Sequence, residues 1–241
     1  MNPLLHPNVA LFSSSASLNR SQLQDIANAL QIQQDRDFRP LWGRSAKLTV
    51  VDDLSKVPPG YYTEQFLDDI GEPGALGFHT DDNNQPAAFV DVTDQTSVTG
   101  SHELLEMAAD PTGNRLVRVF LRGQWVLMLI EVCDPNEAET YKINGIEVSN
   151  FYRPEYLYDQ TDPLPIPDFA YDFLGNNKRP LYVNEGGYCS YMVNGVWHQD
   201  TWFSGSAPST RVLGDLKTVK GIPLRTQIDQ YMMKHNWANT I

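Results

Sequence analysis

Apolar residues in this chain change their spacing several times, and each change marks an expected element. Leu23, Ile26, Ala27 and Leu30, with Gln34 in phase, recur every three to four residues, which places them on one face of a helix. Asn19 or Ser21 is its expected cap, and the pattern carries it through about Gln34. Residues 1–18 read as an arm with a Ser-rich stretch, Ser13–Ser17. Lys47–Val51 and Tyr61–Leu67 then read as strands on either side of the Pro58-Pro59-Gly60 turn. Leu76–Thr80 and Ala87–Val92 flank the polar loop Asp81–Pro86, the pattern of a hairpin. Further along, Arg115–Leu121 and Trp125–Ile130 form a second expected hairpin. Tyr188–Val193 and Gly195–Trp202 form a third, turning at Asn194-Gly195. Pro223 suits a first helical position, and a last helix through about His235 would dock Leu224, Ile228, Tyr231 and Met232 on a core.

The segment between the first two hairpins carries the candidate chemistry. Ser101–Pro111 reads as an amphipathic helix that begins near Gln95–Val98 and is stopped by Pro111. Residues four apart on a helix share a face, so His102 and Glu106 project together, and Asp110 extends the stripe if the helix reaches it. A His and a second ligand one turn apart is half of a zinc site of the H-E-x-x-H kind, here with Glu106 in place of the second His. Glu103 lies about 100° further round. It can reach a zinc-bound water, whose pKa falls to about 7, and accept its proton without being a ligand. The alternative is a surface helix with solvated acidic residues.

A site of His102 and Glu106 lacks a third protein ligand. The second hairpin ends in Glu131-Val132-Cys133-Asp134-Pro135, and Glu131 or Asp134 is the expected supply.

Together these segments resemble a family. The order S-H-E-L-x-E-x-x-x-[DN]-P, a hairpin, then E-[IV]-x-D with a nearby cysteine is similar to zincin-like metallopeptidases with an H-E-x-x-E motif. That family includes exordium-like plant proteins and uncharacterised bacterial and phage proteins. Asp37-Phe38-Arg39-Pro40-Leu41-Trp42-Gly43, Gly145–Phe151 and Glu185-Gly186-Gly187-Tyr188 add weaker likenesses, and the resemblance spans roughly residues 20–190. It implies His102 and Glu106 as zinc ligands, Glu103 as base, and Glu131 or Asp134 as third ligand. Cys133 departs from the pattern, since it falls inside the E-x-x-D run.

The expected fold is therefore α+β: a zincin-like mixed sheet packed on the ligand helix over residues 19–160, with a β-rich C-terminal extension, 161–241, packed on the same domain. In that fold an edge strand beside the site can pair with an extended peptide. Ala87–Val92 is the candidate edge, with Phe89 on it as a substrate contact. In the extension, Tyr188, Trp197, His198 and Trp202 could line a pocket, though aromatics on strands usually serve the core. Asp162–Asp168 reads as an extended Pro-rich linker.

Composition narrows the partners. Eighteen Lys and Arg against thirty Asp and Glu give a net charge of −12, and no basic run exists to neutralise nucleic-acid phosphates or anionic lipid. The two cysteines, Cys133 and Cys189, are expected as buried thiols. No G-x-S-x-G elbow is present, and Asp81-Asp82-Asn83-Asn84 lacks the closing Glu of a calcium loop. The N-terminus lacks the basic region and apolar core of a secretory signal, so a cytoplasmic or virion-associated protein is expected. Two function classes follow. One is a zinc metallopeptidase acting on peptide or protein with zinc as cofactor. The other is a non-catalytic structural or binding protein on the same scaffold, for example a part of a larger particle.

Overall fold

A computed structural model of the chain describes residues 6–72, 74–82, 85–160, 166, 168–203, 205–216 and 222–235. Most of the Pro-rich 162–168 stretch and the tip of the 81–86 loop lie outside the described residues. In chain order the elements begin β1 (Asn8–Ser13), α1 (Arg20–Ile32), α2 (Arg39–Trp42), β2 (Lys47–Val50), β3 (Tyr62–Leu67), β4 (Gly77–Asp82), β5 (Gln85–Asp91) and α3 (Thr96–Ala109). They continue with β6 (Leu116–Leu121), β7 (Gln124–Leu129), β8 (Thr140–Ile143), β9 (Ile146–Ser149), β10 (Tyr188–Val193), β11 (Val196–Thr201), β12 (Ser209–Gly214) and α4 (Leu224–Lys234). The protein is α+β, as the periodicities predict.

The chain forms two units. Unit 1 comprises Met1–Gly113 and Thr140–Ser149, and unit 2 comprises Asn114–Glu139 and Asn150–Ile241. This division differs from the expected arm, domain and extension. The hairpin after Pro111 shares a sheet with the C-terminal strands instead of belonging with the motif helix.

Unit 1 is built on a mixed sheet ordered β2-β1-β3-β5-β4. Every neighbouring pair is parallel except β4 with β5. Two expectations are corrected here. The presumed arm contains β1, which pairs with both β2 and β3. Its Val9-Ala10-Leu11 run is wholly buried and reads as an interior parallel strand without alternation. Ala87–Val92, expected at an edge, is β5, which lies between β3 and β4. Its backbone is paired on both sides, and β4 takes the edge.

Strand register decides which side chains share a face. Leu11, Glu64, Ala88 and His79 stand in one row across β1, β3, β5 and β4. Val9, Tyr62, Phe66 and Val90 lie on that same face by alternation. The apolar members join Leu23, Ile26, Ala27 and Leu30 of α1, Leu104 and Met107 of α3, and Ile143 and Val148 of the β8–β9 hairpin in one core. Asn19, not Ser21, caps α1, through a reciprocal box with Gln22.

Past Ile32 the helix widens into a π-helical stretch, Gln33–Phe38. This buries Gln33 and Gln34. Gln33 Nε2 donates to the Ser149 carbonyl at 2.9 Å, and Ser101 Oγ donates to Gln33 Oε1 at 2.7 Å. Ser149 N in turn donates to Ser101 Oγ at 3.0 Å. The π-helical turn, α3 and β9 are thus pinned together at the residue preceding His102.

Unit 2 carries an antiparallel sheet ordered β12-β11-β10-β7-β6. The β6–β7 and β10–β11 hairpins, like β8–β9 in unit 1, turn on X-Gly pairs with both residues left-handed: Arg122-Gly123, Asn144-Gly145 and Asn194-Gly195. That geometry matches strand twist and favours Asn-Gly. Leu129, Trp197, Leu213, Ile228 and Met232 form this unit's core, with Leu224 and Tyr231 against it, so α4 buries the face expected of it. Cys133 and Cys189 are buried and form no disulfide, and burial pushes the Cys189 thiol well above its ordinary pKa. Among the described residues no helix is long and apolar enough to cross a membrane.

Candidate metal centre

The motif helix is not a surface helix. Every residue of α3 from Thr99 to Ala109 is buried, so the amphipathic reading and its solvated alternative both give way. The chain leaves helical geometry at Asp110 (φ −132°, ψ 81°), one residue before Pro111, whose ring disfavours a helical predecessor. Asp110 therefore does not continue the ligand stripe.

His102, Glu103 and Glu106 are 8%, 6% and 1% exposed. Ionisable groups at such depth need partners or a metal. His102 Nε2 lies 3.4 Å from Glu106 Oε1, which realises the expected i, i+4 pair. The structure adds a residue that the sequence reading passed over. His79 on β4, 1% exposed, lies with Nδ1 3.4 Å from Glu103 Oε2 and 3.7 Å from Glu106 Oε2. Burial alone would lower the His79 pKa. The neighbouring Glu103 carboxylate and the charges of Glu106 and Asp110 outweigh it and leave the value raised.

Two of these separations, both 3.4 Å, fit a metal, and the third, 3.7 Å, is slightly wider. Ligand atoms about 2.0–2.2 Å from a tetrahedral ion stand about 3.3–3.6 Å apart, whereas N–H···O hydrogen bonds centre near 2.9–3.0 Å. Neutral imidazole and carboxylate are also the donors that zinc and its neighbours accept. Buried His and Glu groups able to hold a metal ion are therefore present.

Two glycines make room for the cluster. A Cβ on Gly77 would stand 2.6 Å from Thr99 Cγ2 and 3.0 Å from Glu103 Cγ and Oε1. A Cβ on Gly100 would stand 3.0 Å from the Phe66 ring and 3.2 Å from Glu64 Oε1. Side chains of α3 thus press on β4 at Gly77, and side chains of β3 press on α3 at Gly100, where a Cβ would crowd them.

Glu64, in the middle of β3, also escaped the sequence reading. It is 0% exposed, and neither carboxylate oxygen has a hydrogen-bond partner among the described residues. Burial, and then the charge of Glu103, raise its pKa well above the ordinary carboxylate range. A raised folded-state pKa makes the folded protein hold the proton that the unfolded chain releases. Stability from this group is thus full below the unfolded value near 4.3 and falls as pH rises from there. In metal-free protein, Glu64→Met is expected to stabilise by about 1–3 kcal/mol at pH 8, with the gain shrinking toward pH 5. Urea unfolding at both pH values measures this, and a pH-independent difference would refute a proton held at Glu64.

The remaining expected site residues are placed as follows. Phe89 is on β5 opposite Phe78, and the two rings stack at 5.0 Å. Alternation puts this pair on the sheet face away from His79, so Phe89 does not join the cluster. Glu131 and Asp134 belong to unit 2, just beyond β7. Both are buried, and Asp134 is ion-paired with Arg225. Tyr188 and His198 lie in the unit 2 sheet. His198 pairs with Tyr191 and stacks on its ring, whereas Tyr188 pairs with Thr201. That register sets Tyr188 and His198 on opposite faces, so they do not line one pocket. Trp197 is part of the core.

No family model, no curated protein and no solved structure matches this chain.

Proposed function

We propose that the protein is a metal-dependent peptidase of zincin-like architecture. His102 and Glu106 hold zinc, and Glu103 is the general base. The observation that carries this reading is the buried His102–Glu106 pair at ligand spacing on one helix, with Glu103 one position on from His102. From the sequence, Glu131 and Asp134 remain the candidates for completing the ligand set.

When bound, the ion supplies a Lewis acid that polarises a scissile carbonyl and acidifies water. Glu103 takes the proton of the attacking water on a carboxylate oxygen and returns it to the leaving amine. His79 holds Glu103 in place from β4. Gly77 lets the Glu103 side chain lie flat against that strand. Ser101, locked to Gln33 and Ser149, fixes the rotation of α3 at His102.

Elemental analysis of protein made in zinc-replete medium, with cleavage of a broad peptide library before and after chelation, tests the reading. At least about one equivalent of zinc and chelator-sensitive cleavage are expected, whereas less than about a tenth of an equivalent would end it. A full complement of metal with no cleavage across the library would favour a non-catalytic structural or binding protein on the same scaffold.

A further inference from the structure

We infer that unit 1 binds a second divalent cation, at His79 and Oε2 of Glu106, so that Glu106 bridges two ions. The inference rests on the metal reading above and adds a site to it.

Glu106 meets a different histidine with each oxygen. Oε1 is 3.4 Å from His102 Nε2, and Oε2 is 3.7 Å from His79 Nδ1. The two histidines arrive from different elements, α3 and β4, on either side of one carboxylate. This is how a carboxylate bridges a two-metal site, whose ions sit about 3.5–4 Å apart. Glu103 Oε2, 3.4 Å from the same His79 Nδ1, places a further negative charge beside the second position while Glu103 keeps its role as base.

Charge supplies an independent argument. Glu64, Glu103 and Glu106 are all buried on this face of unit 1, with two histidines among them. Three ionised carboxylates against a single divalent ion leave one negative charge uncompensated, and buried uncompensated charge is costly. Glu64 is the sharpest case. It is fully buried, is unpartnered among the described residues, and stands in the same cross-sheet row as His79 with only Ala88 between them. A row of Glu, Ala and His beneath a helix bearing Glu103 and Glu106 would be an expensive core without cations. Nitrogen and oxygen donors of this kind suit zinc or manganese.

The test loads chelator-stripped full-length protein with Zn2+ and, separately, with Mn2+. Elemental analysis after gel filtration is expected to find about two equivalents of zinc in the wild type and about one in both His79→Ala and His102→Ala. The electron paramagnetic resonance spectrum of the Mn2+ form is expected to show exchange coupling between two ions, a readout that needs no variant and does not depend on activity. One equivalent in the wild type, or an uncoupled Mn2+ spectrum, overturns the second site and leaves the proposed peptidase centre standing. No bound metal overturns both. Two equivalents retained in folded His79→Ala would also overturn the assignment.

Discussion

Glu103→Gln is expected to reduce peptide hydrolysis by about a hundredfold or more while zinc content and fold are kept. Glutamine matches glutamate in shape. It can sit over Gly77, where the Glu103 side chain now packs. What it cannot do is take a proton from water at neutral pH. His102→Ala is expected to behave differently, losing both the metal at that position and the activity, because its imidazole is the nitrogen donor facing Glu106 Oε1. The two variants thus separate proton transfer from metal holding. Activity within a few-fold of wild type in metal-replete Glu103→Gln would exclude Glu103 as base. Unchanged metal and activity in His102→Ala would remove the centre altogether.

The legible parts of the fold are those with strong local signals. The α1 face follows from Leu23, Ile26, Ala27 and Leu30, and the Asn19–Gln22 box marks its start. The Asn194-Gly195 hairpin and the α4 face follow from turn chemistry and helical period. Asn144-Gly145 carries the same turn signal, at the turn that joins β8 to β9. Other elements lacked such a signal. β1 has no alternation, because it is buried between parallel neighbours, and the serines after Leu11 resemble a linker. The placement of β5 inside the sheet depends on β4 folding back to its outer side, a tertiary choice that local pattern does not encode. The burial of α3 was obscured by its own acidic residues, which read as solvent-facing.

The candidate centre divides in the same way. The His102–Glu106 pair needs only a helix, so sequence spacing sufficed. His79 and Glu64 are 23 and 38 positions before His102 and reach the cluster only through sheet register. A weak signal existed. A histidine at alternating distance from Gly77, and a glutamate between Tyr62 and Phe66 in a strand, are both polar residues at core-facing positions. Such positions conflict with a purely apolar core and mark functional sites more often than chance.

Unit 2 has its own buried charge, and Arg225→Ala is expected to destabilise the chain by about 3–5 kcal/mol. Arg225 Nη1 donates to Asp134 Oδ2 at 2.5 Å, Nη2 to the Tyr188 hydroxyl at 2.7 Å, and Nε to Asp229 Oδ2 at 3.1 Å. Its side chain is 11% exposed and that of Asp134 is 1% exposed, so the pair is scarcely screened by solvent. Burial alone would lower the Arg225 pKa. The carboxylates of Asp134 and Asp229 outweigh it and keep the value well above the ordinary arginine range. Alanine removes the cation and leaves the buried Asp134 without it, where neither water nor salt compensates. Lysine should restore little, because its compact ammonium cannot reproduce the guanidinium fork that reaches Asp134, Tyr188 and Asp229 at once. Removing both charges is a different perturbation. Arg225→Met combined with Asp134→Leu should recover most of the loss, since a matched apolar pair is often as stable as the ion pair that it replaces. Guanidinium unfolding of metal-free protein, followed by tryptophan fluorescence, measures all three variants. A loss below about 1 kcal/mol for Arg225→Ala would place the pair among weakly contributing surface ion pairs, in conflict with its burial. A double variant no better than Arg225→Ala would mean that the guanidinium acts chiefly through Tyr188 and Asp229, anchoring α4 to β10.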